Sequence, residues 1–417
     1  MKAARLPQTV PHERATCDVG GVLLERPFKV RRLGHFGLNC IRMEDCVRFY
    51  TELLGFRISD APTLIRPGTD LEAIAPFGER RTFFTRHGTD HHSLVLANKR
   101  VRESDKQRRI VPDVTTNQIS WQVGSLEEVV NAHHWLEAQA TAMDRRGRDM
   151  PGSNWHTYFH DPDGHKNELY YGMEQIGWDW HSKPVAMHDR EFHQLPELPQ
   201  ISEQAEIARA VEGGTDLHAG SALPDPLPPA YEVEGVLLPR PFKIVRVGPL
   251  GLFVDDLEAA VRFYRDTIGL SLTEEVVWHG HRCVYFRANT EHHTIALYPL
   301  ALRATLGLRA DTTCMTVGLQ IATYRQLRET RAFLAEHGVT IIDTIPPELH
   351  PGIDYALHVL DPDGHCVQLY FSMEQIGWDG RPRPAESRIR VRSDAWPETV
   401  AASNDAYAGE VLLGPLG

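Results

Sequence analysis

His35, Glu168 and a run of polar residues at Gln118, Ser120 and Gln122 sit on stretches that alternate polar and apolar in the manner of β-strands. In LGHFGLN, His35 points opposite to Phe36 and Leu38. In QISWQV the three polar side chains oppose Ile119, Trp121 and Val123, and in KNELYY Glu168 opposes Leu169. Each strand therefore has one apolar face for packing and one face that carries a potential ligand. Two neutral donors and one carboxylate on three strands suit a divalent ion with one side left open, which is what a metal-dependent enzyme requires.

The elements that must position these residues occur twice. GVLLERPFKVRRLGHFGLNC (21–40) returns as GVLLPRPFKIVRVGPLGLFV (235–254), and DPDGHKNELYYGMEQIGWD (161–179) returns as DPDGHCVQLYFSMEQIGWD (361–379). Each copy reads as two units of strand, helix and further strands. In the first, helices over MEDCVRFYTELLGF and LEEVVNAHHWLEAQ follow the opening strands, and DPDG is a turn before the last strand. The expected fold is α+β, with four βαβββ modules in two tandem duplicated domains, each a curved mixed sheet enclosing a cavity. The expected boundaries are 28–180, a Pro-rich linker at 181–233 with too little apolar periodicity for a domain, a second domain at 234–380 and a tail at 381–417.

The scaffold is repeated more faithfully than the polar positions. His35, Gln118 and Glu168 correspond to Pro249, Thr316 and Gln368, and Tyr158 corresponds to His358. Proline offers no ligand atom and no carboxylate remains, so the second copy is expected to be metal-free.

Composition narrows the function classes. Apolar content of 42% with 24% charged residues is ordinary for a soluble globular chain, and no run approaches the ~20 apolar residues that span a bilayer. With 44 basic against 56 acidic residues, a net charge of −12 opposes phosphate binding, so no nucleic acid and no membrane is expected as a partner. The opening MKAARLPQTVPHERATCD lacks a secretory apolar stretch, which makes the cytoplasm the expected compartment. Six cysteines without a CxxC pair indicate neither a zinc ribbon nor a disulfide framework; they are expected to be reduced, mostly buried thiols.

GHFGLNCIRMEDCVRFYTELLGF, TDHHSLVLAN, QISWQVGSLEEVV and TYFHDPDGHKNELYYG together resemble the catalytic half of the type I extradiol ring-cleaving dioxygenases of the vicinal oxygen chelate superfamily. That superfamily also holds glyoxalase I, methylmalonyl-CoA epimerase and bleomycin-resistance proteins. The resemblance covers about two thirds of the chain. It implies His35 and Glu168 as metal ligands, with Gln118 where the dioxygenases place a second ligand His; glyoxalase I and the epimerase use Gln among their ligands. It also implies His92, second of the HH pair, and Tyr158, ten residues before the carboxylate, as catalytic residues. His91, His156 and His160 are the nearby imidazoles that would replace Gln118 under a different register.

On that resemblance the chain is an Fe(II) enzyme, or one using Mn(II) or another divalent metal, that opens a catecholic ring with O2. His92 shuttles a proton and Tyr158 hydrogen-bonds the developing oxyanion. The alternatives are a metal-dependent isomerase, epimerase or lyase of the glyoxalase type, favoured by Gln118, and a non-catalytic protein that binds a small planar molecule. A homo-oligomer built through the sheets is compatible with all three.

Overall fold

A computed structural model describes residues 16–65, 69–104, 114–148, 152–177, 181–187, 195, 198–199, 201–376 and 379–400. In the first copy the chain runs through β1 (Arg32–Cys40), α1 (Met43–Arg48), β2 (Arg57–Asp60), β3 (Phe83–Arg86), β4 (Leu94–Asn98), β5 (Thr116–Gln122), α2 (Leu126–Ala138), β6 (Ala142–Arg148), β7 (Trp155–His160) and β8 (Lys166–Tyr171). These are two βαβββ modules. They form one eight-stranded sheet in the order β2-β3-β4-β1-β5-β8-β7-β6. Pairing is parallel only between β1 and β4 and between β5 and β8; the modules meet where β1 runs antiparallel to β5.

Between the copies lies a helix, α3 (Glu203–Glu212), inside the stretch expected to be a Pro-rich linker. Its start is fixed by Ser202, whose side chain accepts from Ala205 N, and Glu206 on its first turns pairs with Arg148 at 2.6 Å. The signal was there in a capping Ser followed by strong helix formers, EQAEIARA.

The second copy repeats the plan through β9 (Ile244–Val254), α4 (Leu257–Arg262), β10 (Ser271–Trp278), β11 (His281–Arg287), β12 (Ile295–Pro299), β13 (Cys314–Ile321), α5 (Tyr324–Glu336), β14 (Ile341–Ile342), β15 (Ala356–Leu360) and β16 (Cys366–Tyr370). Its sheet has the matching order β10-β11-β12-β9-β13-β16-β15-β14. The tail packs on this copy: Arg388 binds Glu274 at 2.6 Å, and Tyr324 donates to Pro397 O at 2.6 Å. The opening residues and the tail beyond 400 lie outside the described residues.

The apolar faces read from the sequence form the core. Phe36, Leu38, Ile119, Trp121 and Leu169 are buried in one cluster with Val129, Ala132 and Leu136 of α2, each large side chain contributing ~1.5–3 kcal/mol by leaving water. The same cluster continues through Phe159 and Phe263, whose rings are 6.1 Å apart, into the second copy. A reciprocal exchange closes the join. Asp363 of the second DPDG turn accepts from Ile41 N and Arg42 N (2.5 and 3.0 Å) ahead of α1, and Asp163 of the first accepts from Asp255 N (2.8 Å) ahead of α4. Tyr50 and Tyr264 likewise donate to Asp361 and Asp161 of the opposite copy.

Candidate metal centre

One row of paired residues crosses the first sheet. Tyr158 on β7 is opposite Glu168 on β8, Glu168 is opposite Ser120 on β5, and Ser120 is opposite His35 on β1. Because side chains alternate along each strand, all four project to one face, away from α2. His35 and Glu168 are entirely buried, with His35 Nε2 2.9 Å from Glu168 Oε2. That contact is short but not aligned as a hydrogen bond, so both ring nitrogens of His35 lack a hydrogen-bond partner. The buried Tyr170 hydroxyl, on a ring 4.9 Å from that of His35, also lacks one.

Glu168 is held from two sides. Ser120 donates to Oε2, and Asn154 donates to Oε1 at 2.8 Å. His156 Nδ1 lies 3.7 Å from Oε1. Burial alone would push this carboxyl up, but the charge and contact of His35, the charge of His156 and the Ser120 hydrogen bond hold it down, to about 2.

The flanking imidazoles resist protonation. Burial, with nearby cationic charge, lowers His156 to about 3 and drives His92 well below its usual range. The His92 ring stands 4.3 Å from that of His35, and its Nδ1 is 3.0 Å from His91 Nδ1, while His91 Nε2 reaches Asp60 at 2.8 Å. The second copy builds the same chain from His293, His292 and Glu274, so this linkage belongs to the shared scaffold. Tyr158 keeps its proton, since burial and Glu168 both raise it, and the Arg145 guanidinium stacks 4.5 Å from its ring centroid.

The structure separates the expected residues into those that meet and one that does not. His35, Glu168, His92 and Tyr158 converge. Gln118 pairs with Gly37, one two-residue step along β5 from the row; Ser120 occupies the place between His35 and Glu168. Ser120 and Asn154 are the contacts the sequence did not single out. Asn154 carries no local signal, but Ser120 was one of three polar residues on the correct face.

An ionised carboxylate in a fully buried setting must be compensated; among the imidazoles around it burial disfavours the charged forms of His92 and His156, and His35 is the partner that most favours the ionised carboxylate. With the unpartnered nitrogens of His35 and the unpartnered Tyr170 hydroxyl, the donor set fits a cation carried by His35 and Glu168. Among the described residues no third His, Cys, Asp or Glu donor completes a cluster with this pair; the third place faces a hydroxyl. In the second copy Gln368 Nε2 contacts His358 Nε2 at 3.1 Å, and Pro249 replaces the histidine. A cavity of about 590 Å³ opens between the copies, lined by Leu33, Lys243, Pro249, His293 and Tyr370; it includes neither His35 nor Glu168.

Two eight-stranded mixed sheets, each made from a pair of βαβββ modules, define a duplicated vicinal oxygen chelate protein. The chain belongs to the Glyoxalase/Bleomycin resistance protein/Dioxygenase superfamily, whose sequence model matches residues 32–169 and 246–369. Among solved structures it is similar to a catechol 2,3-dioxygenase (17% identity, 93% of this chain and 100% of that one, TM-score 0.51). It is also similar to a Mn(II)-bound glyoxalase from Novosphingobium aromaticivorans (14% identity, 84% and 85%, TM-score 0.50). A 2,3-dioxygenase from Pseudomonas sp. KL28 aligns at 13% identity over 85% and 96% with a TM-score of 0.50. At such identities the likeness is one of fold. No curated protein matches the chain. No helix among the described residues is long and apolar enough to cross a membrane.

Proposed function

We propose that the first copy is the active unit of an extradiol-type dioxygenase that opens a catecholic ring with O2, and that the second copy is its metal-free support. The observation that carries this reading is the buried, ionised Glu168 beside a His35 ring without hydrogen-bond partners, with His92 and Tyr158 flanking the same face. Fe(II), or Mn(II), held by His35 and Glu168 would supply the coupling between the electron-rich ring and O2 that the side chains cannot supply. Gln118, expected as the third ligand, gives way to Ser120 in this proposal.

The remaining work falls to the chain's own groups. Ser120 and Asn154 fix the Glu168 carboxylate in one orientation. His92 is neutral and has its Nδ1 engaged by His91, which leaves Nε2 to take up a substrate hydroxyl proton and return it later. Tyr158 retains its proton and donates a hydrogen bond to an oxygen that gains negative charge. The low exposure of all four residues excludes water.

A second reading has one observation in its favour: the third position on the row is a hydroxyl, not an imidazole. Under it, the same pair holds a divalent ion for glyoxalase-type isomerase or lyase chemistry without O2. An oxygen-electrode assay over a catechol panel, after anaerobic loading with Fe(II), separates the two. Uptake with a coloured ring-fission product, lost in His35→Ala and Glu168→Ala and kept in Gln368→Ala, supports the dioxygenase. Stoichiometric metal with no uptake on any catechol overturns it in favour of the second reading.

A further inference from the structure

The corner where the first strand of each copy turns into its helix is built from different atoms in the two copies. In the first, Cys40 ends β1 and Cys46 lies in α1, both with no exposed surface. Asp363 reaches this corner from the DPDG turn of the second copy. The two sulfur atoms and a carboxylate oxygen of Asp363 all lie within 4.8 Å of one another, the one such group of His, Cys, Asp or Glu donors among the described residues. At the matching corner of the second copy stand Val254 and Ala260, facing Asp163. Val and Ala are therefore sufficient for packing, and the first copy departs from them toward sulfur at two positions that the fold brings together.

The donors have capacity to spare. Asp363 accepts two backbone N–H groups, and a carboxylate has about four acceptor positions. Both cysteines are free thiols. His365 is fully buried, and neither of its ring nitrogens has a hydrogen-bond partner, whereas its counterpart His165 holds Asp161 at 3.0 Å. Two sulfurs and one oxygen form a borderline-to-soft donor set, matched to zinc better than to calcium or magnesium. Thiolates at ~2.3 Å from a tetrahedral zinc stand ~3.8 Å apart, a separation within the 4.8 Å that encloses this group.

We propose that Cys40, Cys46 and Asp363 form a second metal site, distinct from the His35–Glu168 pair, that takes one zinc-class ion and ties the two copies together. On binding, the two S–H bonds break, two sulfur–metal bonds and one oxygen–metal bond form, and two protons leave to solvent; no electrons are transferred.

Titration of the reduced, metal-free full-length chain with Co(II) tests this. The expected result is a near-ultraviolet thiolate-to-cobalt absorption of equal amplitude in the wild type and in His35→Ala, saturating at one equivalent in His35→Ala, where the first site is removed. Cys40→Val and Cys46→Ala place at each position the residue used by the second copy, and a circular-dichroism melt verifies that they fold. Each is expected to abolish the absorption, and Asp363→Asn to weaken binding at least tenfold. Zinc is expected to raise the melting temperature of His35→Ala and not of the same variant carrying Cys40→Val and Cys46→Ala as well. No absorption in the reduced wild type, or absorption unchanged in Cys46→Ala, would overturn the proposal.

Discussion

Ser120 donates its hydroxyl hydrogen to Glu168 from the adjoining strand, directly between that carboxylate and His35. The neutral hydroxyl thus fixes the orientation of the carboxylate that the imidazole contacts at 2.9 Å.

An imidazole at this place would complete two histidines and a carboxylate on one face, a set suited to Fe(II). Ser120→His is therefore expected to tighten Fe(II) or Mn(II) binding at least tenfold, equivalent to ~1.4 kcal/mol. Ser120→Ala removes a charge-assisted hydrogen bond to a buried group and is expected to cost ~1.5–3 kcal/mol of stability. Anaerobic calorimetric titration and urea unfolding measure the two effects. Equal affinity in the wild type and Ser120→His would show that this place does not face the ion.

Gly34 allows the Tyr170 hydroxyl to lie against the strand that carries His35. A Cβ at Gly34 would come within 1.7 Å of that oxygen, so Gly34→Ala must displace the ring. The expected cost is ~1–3 kcal/mol, with weakened metal binding as Tyr170 shifts against His35. Gly88, where a Cβ meets nothing within 4 Å, is the control; Gly88→Ala is expected to stay within ~0.5 kcal/mol in the same urea titration.

The tail contributes a pH-dependent anchor. Burial would raise the Glu274 carboxyl, but hydrogen bonds from His292 and Arg388 and the Arg388 charge hold it at about 2 in the folded chain, against 4.5 for a free glutamate carboxyl. A depressed carboxyl contributes stability that is present above pH ~4.5 and is lost as pH falls toward 2. After allowance for screening at this half-buried place, the contribution is ~1–2 kcal/mol. Melting temperatures measured from pH 5 to pH 2.5 are expected to fall less steeply in Glu274→Gln than in the wild type. Parallel curves would exclude the anchor.

Much of the site was legible because alternation is a local property. The faces of His35, Ser120 and Glu168 followed from their neighbours Phe36, Ile119 and Leu169, and the repeat gave the two sheets and their module order. Register between strands is not local. The pairing of β1 with β5 shifts between Leu33 and His35 and again between Gly37 and Leu38, and the first shift brings Ser120 opposite His35 where an unbroken register from Leu33 and Trp121 would bring Ile119. The same reasoning covers the Cys40, Cys46 and Asp363 corner. Its members are scattered over more than three hundred positions of sequence, and only the exchange of DPDG turns brings them together.

That exchange also bears on how such a chain arose. Asp163 and Asp363 each close the helix start of the opposite copy, so the contact is self-complementary: one kind of contact, made twice. A half-length ancestor would carry both the turn and the helix start that receives it, and two identical molecules would satisfy each other in the same way. The present chain is in effect a homodimer made permanent by a peptide connection. The halves do not share every residue: Pro249 and Gln368 stand in one where His35 and Glu168 stand in the other.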